Sequence, residues 1–180
     1  MMKHPVFLLI LIFSPLFVCC NKSSENLSAF EAMDTFMSVK TFGKNSSKAA
    51  SLAKAEIFRI EKLISVTDSE SEVYKINENK IKSQDFGFSD EVAFLIDFTT
   101  KAAENTKGAF NPFLYPVTKE WGFTRKKYHV PSENLIQKLL LLCDYKNAFH
   151  PEKGMQLDFG GIGKGYAGDM ALKVLKENGI

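Results

Sequence analysis

The run Gln156-Leu157-Asp158-Phe159-Gly160-Gly161-Ile162-Gly163-Lys164-Gly165-Tyr166-Ala167-Gly168-Asp169 constrains this chain more than any other. It joins a short apolar segment to a helix through a glycine cluster that carries one carboxylate and one ammonium. Glycine lets the backbone approach a ligand within hydrogen-bonding distance, and the N–H groups that open a helix favour an anion. The construction is that of a phosphate-cradling turn, which points to a nucleotide.

Gly163 to Gly168 fits G-x-G-x-x-G between a strand and a helix, the form of a dinucleotide fingerprint. The acidic residue that pattern expects about 20 positions further on would fall past Ile180. A P-loop is excluded, because Gly165 rather than Ser or Thr follows Lys164, and Phe159 stands where the first P-loop glycine belongs. The plain alternative is a glycine-rich turn with no ligand.

A length of 180 residues allows one domain with a real core, and a formal charge of +2 leaves no electrostatic footprint for nucleic acid. Lys3 precedes the apolar run Val6 to Val18, too short to span a bilayer and of the form of a signal-peptide h-region. The run closes on Cys19 and Cys20, followed by a polar tether, and resembles a bacterial lipobox in which the thiol is lipidated. Cys20 follows the small Cys19, whereas Cys19 has the better Leu16 three residues earlier but follows bulky Val18; Cys20 is favoured and Cys19 stays open. The expected organisation is a lipoprotein signal over 1–20, a tether over 21–30 and a catalytic-domain segment over 31–180. The expected location is the bacterial cell membrane, lipid-anchored, facing the periplasm or exterior. Cys143, beside the apolar run Leu139 to Leu142, reads as a buried small hydrophobe.

Along the chain, Met33 to Phe42 reads as a strand. Ser46 or Ser47 caps a helix with Ala49, Ala53, Ile57, Ile60 and Ile64 on one face. Ser69 and Glu72 have the form of a capping box, so the polar run Asp68 to Glu72 has a structural explanation. Ser89 opens a helix that Gly108 ends, and Pro112 and Pro116 then forbid regular structure. Pro131 to Glu133 open a helix through Leu142. Asp144 to Phe149 and Met155 to Phe159 pair as strands, and a last helix runs from about Gly165 to Asn178 with Gly179 as its stop. Ile180 would begin a following strand, so a truncated domain is expected.

Asp158 to Ala167 resembles the D-[LF]-G-G-[IV]-[AG]-K-G-[YF]-A signature of the FAD:protein FMN transferases, the ApbE or flavin-trafficking lipoprotein family. Three further blocks are similar in order and spacing: Met33 to Val39, Ser65 to Val73, and Gly108 to Pro112 with Trp121-Gly122-Phe123. The resemblance implies an α+β fold, a mixed sheet with packed helices of the ApbE (T-fold-like) kind, covering roughly the first half of that domain. It implies Mg²⁺-dependent transfer of FMN from FAD to a threonine of an acceptor redox flavoprotein, with AMP released. By the same resemblance Asp158 and Lys164 contact FAD, the Gly161 carbonyl reaches the metal, and Met33, Thr67, Ala109, Phe110 and Asn111 line the flavin site. No catalytic residue is singled out. Thr67 stands where the family often has an aromatic residue and Asn111 where it has Asp, while the metal-ligating D-x-x-x-T segment lies outside this sequence.

Each of these residues has a structural explanation as well: a helix-entry carboxylate for Asp158, a solvated ammonium for Lys164, strand core for Met33, helix-end packing for Ala109 and Phe110, and a turn-forming amide for Asn111. Trp121 reads as core. Three readings compete with the transferase: a metal-dependent FAD pyrophosphatase in which water replaces threonine, a flavin-binding lipoprotein or inert fragment without turnover, and a Rossmann-type domain.

Overall fold

The computed structural model describes residues 25–78, 89–124, 127–148 and 154–180. The expected signal segment, both N-terminal cysteines and the 149–153 part of the expected second hairpin lie outside the described residues.

Strands β1 (Glu25–Ala32) and β2 (Thr35–Phe42) form an antiparallel hairpin, with Ala32 opposite Thr35. Residues 25–30, read from sequence as tether, are therefore strand: Phe30 and Ala32 turn inward beside Met37 and Val39, and this apolar alternation outweighs the polar residues between them. Met33, read as the start of a strand, instead forms the two-residue turn with Asp34. Both adopt positive φ, 51° and 56°, the left-handed geometry that two-residue hairpins require and that glycine or asparagine adopts most easily. Glu61 holds this tip by accepting a hydrogen bond from the Met33 N–H at 2.6 Å.

The hairpin packs on α1 (Ser46–Ile64), whose expected stripe Ala49, Ala53, Ile57, Ile60 and Ile64 is buried throughout. Its N-cap is Asn45, without a side-chain cap bond, while Ser46 is buried and its carbonyl accepts from Thr41 Oγ1. Helix α2 (Glu72–Asn77) is capped by Ser71 rather than Ser69, because Ser71 Oγ accepts from Tyr74 N–H and also donates to the Leu63 carbonyl. Glu72 does not close a box; its carboxylate accepts from the Ser89 N–H, joining α2 to the entry of α3 (Asp90–Asn105). Helix α3 has Ser89 as N-cap, as expected, and Val92, Leu95, Ile96, Thr99 and Ala103 buried. It ends in two crossed bonds, Gly108 N–H to Ala103 and Lys107 N–H to Glu104, with the left-handed turn at Lys107 one residue before the expected glycine.

Pro116 does not forbid a helix: it sits in the first turn of α4 (Tyr115–Glu120), where a missing N–H costs nothing. Helix α5 (Glu133–Leu140) follows its Ser132 cap, and Cys143 is buried as expected. Residues Tyr145–Asn147 form a 3₁₀ turn capped by the Asp144 carboxylate, which replaces the expected strand. Residues 155–159 alternate as a strand would, with Met155, Leu157 and Phe159 buried, yet pair with no strand among the described residues. The Asn77 side chain takes that place: its Oδ1 accepts from Leu157 N–H at 2.6 Å and its Nδ2 donates to the Leu157 carbonyl at 2.8 Å. One amide thus closes both backbone groups of a buried residue.

Helix α6 (Gly163–Glu177) lies along α1 through Gly163, Ala167 and Ala171, and a Cβ at Gly163 would stand 2.6 Å from Ile64 Cδ1. It begins two residues earlier than expected and closes at Gly179 (φ 78°), as expected, with Ile180 N–H bonded to Leu175 and Gly179 N–H to Lys176. The whole is α+β: a small sheet with packed helices around one core. No helix among the described residues is long and apolar enough to cross a membrane.

Replacing Asn77 by Ala strands a buried donor and a buried acceptor at Leu157. Urea unfolding should show a loss of about 2–4 kcal/mol, and Asn77→Asp, which sets a buried carboxylate against the Leu157 carbonyl, should lose at least as much near neutral pH.

Candidate active site

The loop from Asp158 into α6 is held from three sides. Asp158 N–H donates to the Pro112 carbonyl at 2.8 Å, fixing the extended segment against the loop after α3. The Asp158 Oδ1 then accepts from the Gly160 N–H at 2.7 Å, closing the turn on itself. The Phe159 carbonyl accepts from both Ile162 and Gly163, so the chain enters α6 around a buried ring. The first helical bond is Tyr166 N–H to Ile162, and the Lys164 and Gly165 N–H groups have no acceptor among the described residues. Two aligned donors thus open the helix where partial positive charge gathers.

Lys164 borders a cleft of about 670 Å³, within the range of small-molecule sites. Its wall includes Met33 and Asp34 from the hairpin tip, Glu61 and Ile64 from α1, Ser65 to Thr67 after it, Phe123 and Thr124, and Asp158, Gly160, Gly163 and Lys164. Of the residues proposed from sequence, the fold therefore brings together Met33, Thr67, Asp158 and Lys164. Thr67 is exposed, its N–H and hydroxyl gathered around Ser65 Oγ.

Ala109, Phe110 and Asn111 lie outside this wall. Phe110 covers the back of the loop, where a Cβ on Gly161 would stand 3.0 Å from its ring. Asn111 is bonded locally: its Nδ2 donates to the Cys143 carbonyl and its Oδ1 accepts from Phe113 N–H. Sequence reading missed Glu31, Asp34, Glu61, Phe123 and Thr124 in the wall. The glycine at 122 between two aromatic residues was the one local signal for the Phe123 turn.

The dinucleotide-fingerprint reading is not realised. Gly163 serves helix packing, a Cβ at Gly165 or Gly168 would meet nothing within 4 Å, and the described sheet is a two-stranded antiparallel one without a βαβ unit. The cleft wall carries four carboxylates, Glu31, Asp34, Glu61 and Asp158, against one ammonium, Lys164, which makes no ion pair among the described residues. No three His, Cys, Asp or Glu side chains among the described residues gather as metal ligands. These residues alone therefore do not form a metal shell.

Beside the loop, Tyr166 ties α6 to a charged network. Its hydroxyl donates to Glu91 Oε1 at 2.7 Å, and Arg59 bonds both oxygens of Glu91 and both of Glu56 at 2.7–2.9 Å. These bonds hold Glu91 below the ordinary carboxylate range, Arg59 first, against the opposing effect of its burial. Desolvation and then the bond to Glu91 push the Tyr166 phenol up, while burial raises the Cys143 thiol.

The family model described as the ApbE family matches residues 33–180. The chain belongs to the ApbE family. It is 28% identical over 192 residues to the FAD:protein FMN transferase of Buchnera aphidicola subsp. Schizaphis graminum, covering 97% of this chain and 55% of that one. The Treponema pallidum FAD:protein FMN transferase is 30% identical over 92 residues, 43% of this chain and 25% of that protein. Among solved structures, the ApbE protein of Thermotoga maritima superposes with a TM-score of 0.77 at 27% identity, covering 87% of this chain and 54% of that one. The apo flavinyl transferase ApbE of Pseudomonas stutzeri, at 22% identity and a TM-score of 0.71 over 88% and 56% of the two chains, shares the fold. The chain thus spans about half the length of the Buchnera and Thermotoga relatives.

Because the Glu91 pKa is lowered by folding, the unfolded chain takes up its proton at higher pH than the native one. The stability this carboxylate contributes is complete above its unfolded pKa and is lost as pH falls through the depressed native value. Denaturant midpoints measured from about pH 5 down to about pH 3 should fall more steeply for the native sequence than for Glu91→Gln.

Proposed function

We propose that this chain carries the FAD-binding part of an FAD:protein FMN transferase that works on exported redox proteins. The observation that carries the reading is the start of α6, where the Lys164 and Gly165 N–H groups have no acceptor among the described residues and Lys164 lines the cleft together with Asp158. A diphosphate seated at the start of α6 would accept from these amides, and Lys164 would offset one of its charges. Asp158, whose Oδ1 already closes the turn at Gly160, is positioned to fix the loop and present its remaining oxygen to the ligand.

The reaction is transfer of FMN from FAD to a threonine of an acceptor redox flavoprotein. The threonine oxygen bonds to the FMN phosphorus, the bond from that phosphorus to the bridging oxygen breaks, and AMP leaves. Such a transfer depends on positioning and charge neutralisation more than on a protein nucleophile. Mg²⁺, with the Gly161 carbonyl as one ligand, belongs to this proposal. An excess of carboxylates around a diphosphate favours a cation there. The described residues do not complete its shell, so no step is argued through it. That same observation favours a second reading, a flavin-binding lipoprotein without turnover.

The two readings separate when the protein is incubated with FAD, Mg²⁺ and a threonine-bearing acceptor flavoprotein. Release of AMP with FMN left on a threonine-bearing acceptor is the expected result, whereas bound FAD without AMP selects the second reading, and free FMN would indicate hydrolysis. Lys164→Ala should weaken FAD binding about tenfold, as befits a charge-assisted hydrogen bond. Asp158→Ala should reduce both binding and transfer. Normal titrations in folded variants would return these residues to surface and turn roles.

We propose further that the N-terminal segment anchors the protein by lipid at the bacterial membrane, facing the periplasm or exterior. The support is the apolar run 6–18 closing on Cys19 and Cys20. Replacing both cysteines by Ser should move the protein from the membrane to the soluble fraction; persistence in membranes would defeat the anchor.

A further inference from the structure

Any ligand with a flat heterocycle needs a ring face to rest on, and the described residues lining the cleft include one aromatic side chain, Phe123. Elsewhere the wall offers Thr67, Met33 and Val66, none of which has a π face. Phe123 is 58% exposed, so its ring is accessible from the cleft it lines.

Its placement is built, not incidental. Helix α4 ends at Glu120, and Gly122 (φ 76°) reverses the chain so tightly that a Cβ there would stand 1.9 Å from the Lys127 carbonyl oxygen. Lys127 N–H donates back to Gly122 at 3.2 Å, closing the turn. Behind Phe123, the Trp121 ring lies parallel to it, 1° between planes and 6.2 Å between centroids, and Tyr128 leans on it at 6.0 Å. A ring fixed by two neighbouring rings loses little freedom when a ligand stacks on it. Next to it, Thr124 Oγ1 is buried with no hydrogen-bond partner among the described residues.

We propose that Phe123, backed by Trp121, is the stacking surface for one planar heterocycle of the dinucleotide. This rests on the flavin reading above and adds to it the residue that selects for an aromatic ligand. Whether the heterocycle is the isoalloxazine or the adenine is decided by separate ligands that share its chemistry.

The test titrates the protein with FAD, FMN and ADP, following calorimetry for all three and flavin fluorescence for the first two. Phe123→Leu keeps apolar bulk without a π face, and should weaken FAD about tenfold and reduce the quenching of flavin fluorescence on binding. Phe123→Tyr restores the face and should bind FAD within about twofold of the native protein. A loss confined to FMN places the isoalloxazine on Phe123, and a loss confined to ADP places the adenine there. Either supports the proposal. Equal affinities of Phe123→Leu and the native protein for all three ligands, with unchanged melting curves, would overturn it. A native protein that binds none of them defeats the flavin reading itself, a result visible before any variant is made.

Discussion

The contact of α6 with α1 governs the rest of the molecule. Gly163, Ala167 and Ala171 remove side-chain bulk from one face of α6, so its axis approaches α1 closely enough that a single methyl at Gly163 would collide with Ile64. Because Ile64 ends α1 and Gly163 begins α6, this contact also places the helix N-terminus beside the segment 65–67. The cleft follows from a packing constraint, and its anion-attracting donors are a by-product of where the small residues fall.

Polar groups then fix what the core leaves free. The Asn77 amide stands in for a strand neighbour of Leu157, and Glu61 clamps a hairpin tip held in left-handed backbone. Arg59, Glu91 and Tyr166 tie α1, α3 and α6 together on the other flank of the loop. The Arg59 side chain is half exposed, so the screened ion pair matters less for net stability than for direction. It keeps α6 from rotating about its own axis, and so holds Lys164 at the edge of the cleft.

The helical stripes of α1 and α3, the caps at Ser89 and Ser132, and the stop at Gly179 were legible in the sequence, because period and capping chemistry are local. The family was legible from four blocks of residues, and Met33, Thr67, Asp158 and Lys164 do share one cleft. What escaped was decided by partners far along the chain. Residues 25–30 look like a tether until β2 lies beside them, and 155–159 look like a strand whose partner proves to be a side chain 80 positions away. Asn111, read as a ligand contact, also has local partners that the sequence does not show, with Cys143 and Phe113 each taking one bond from its amide. Phe123 was legible as part of a matching block and a glycine turn but not as a cleft residue, since its exposure comes from the reversal around Gly122.

That reversal divides the two residues by how freely they can change. Every substitution at Gly122 adds a Cβ where the Lys127 carbonyl already stands, so the turn is closed to drift at that position. Phe123, projecting from the turn and exposed, supports no core of its own and is open to replacement without refolding. A rigid pivot carrying a variable face is an evolvable arrangement. Ligand preference at this wall can be retuned by changes at one codon, while the adjacent codon holds the geometry in which each change is tried.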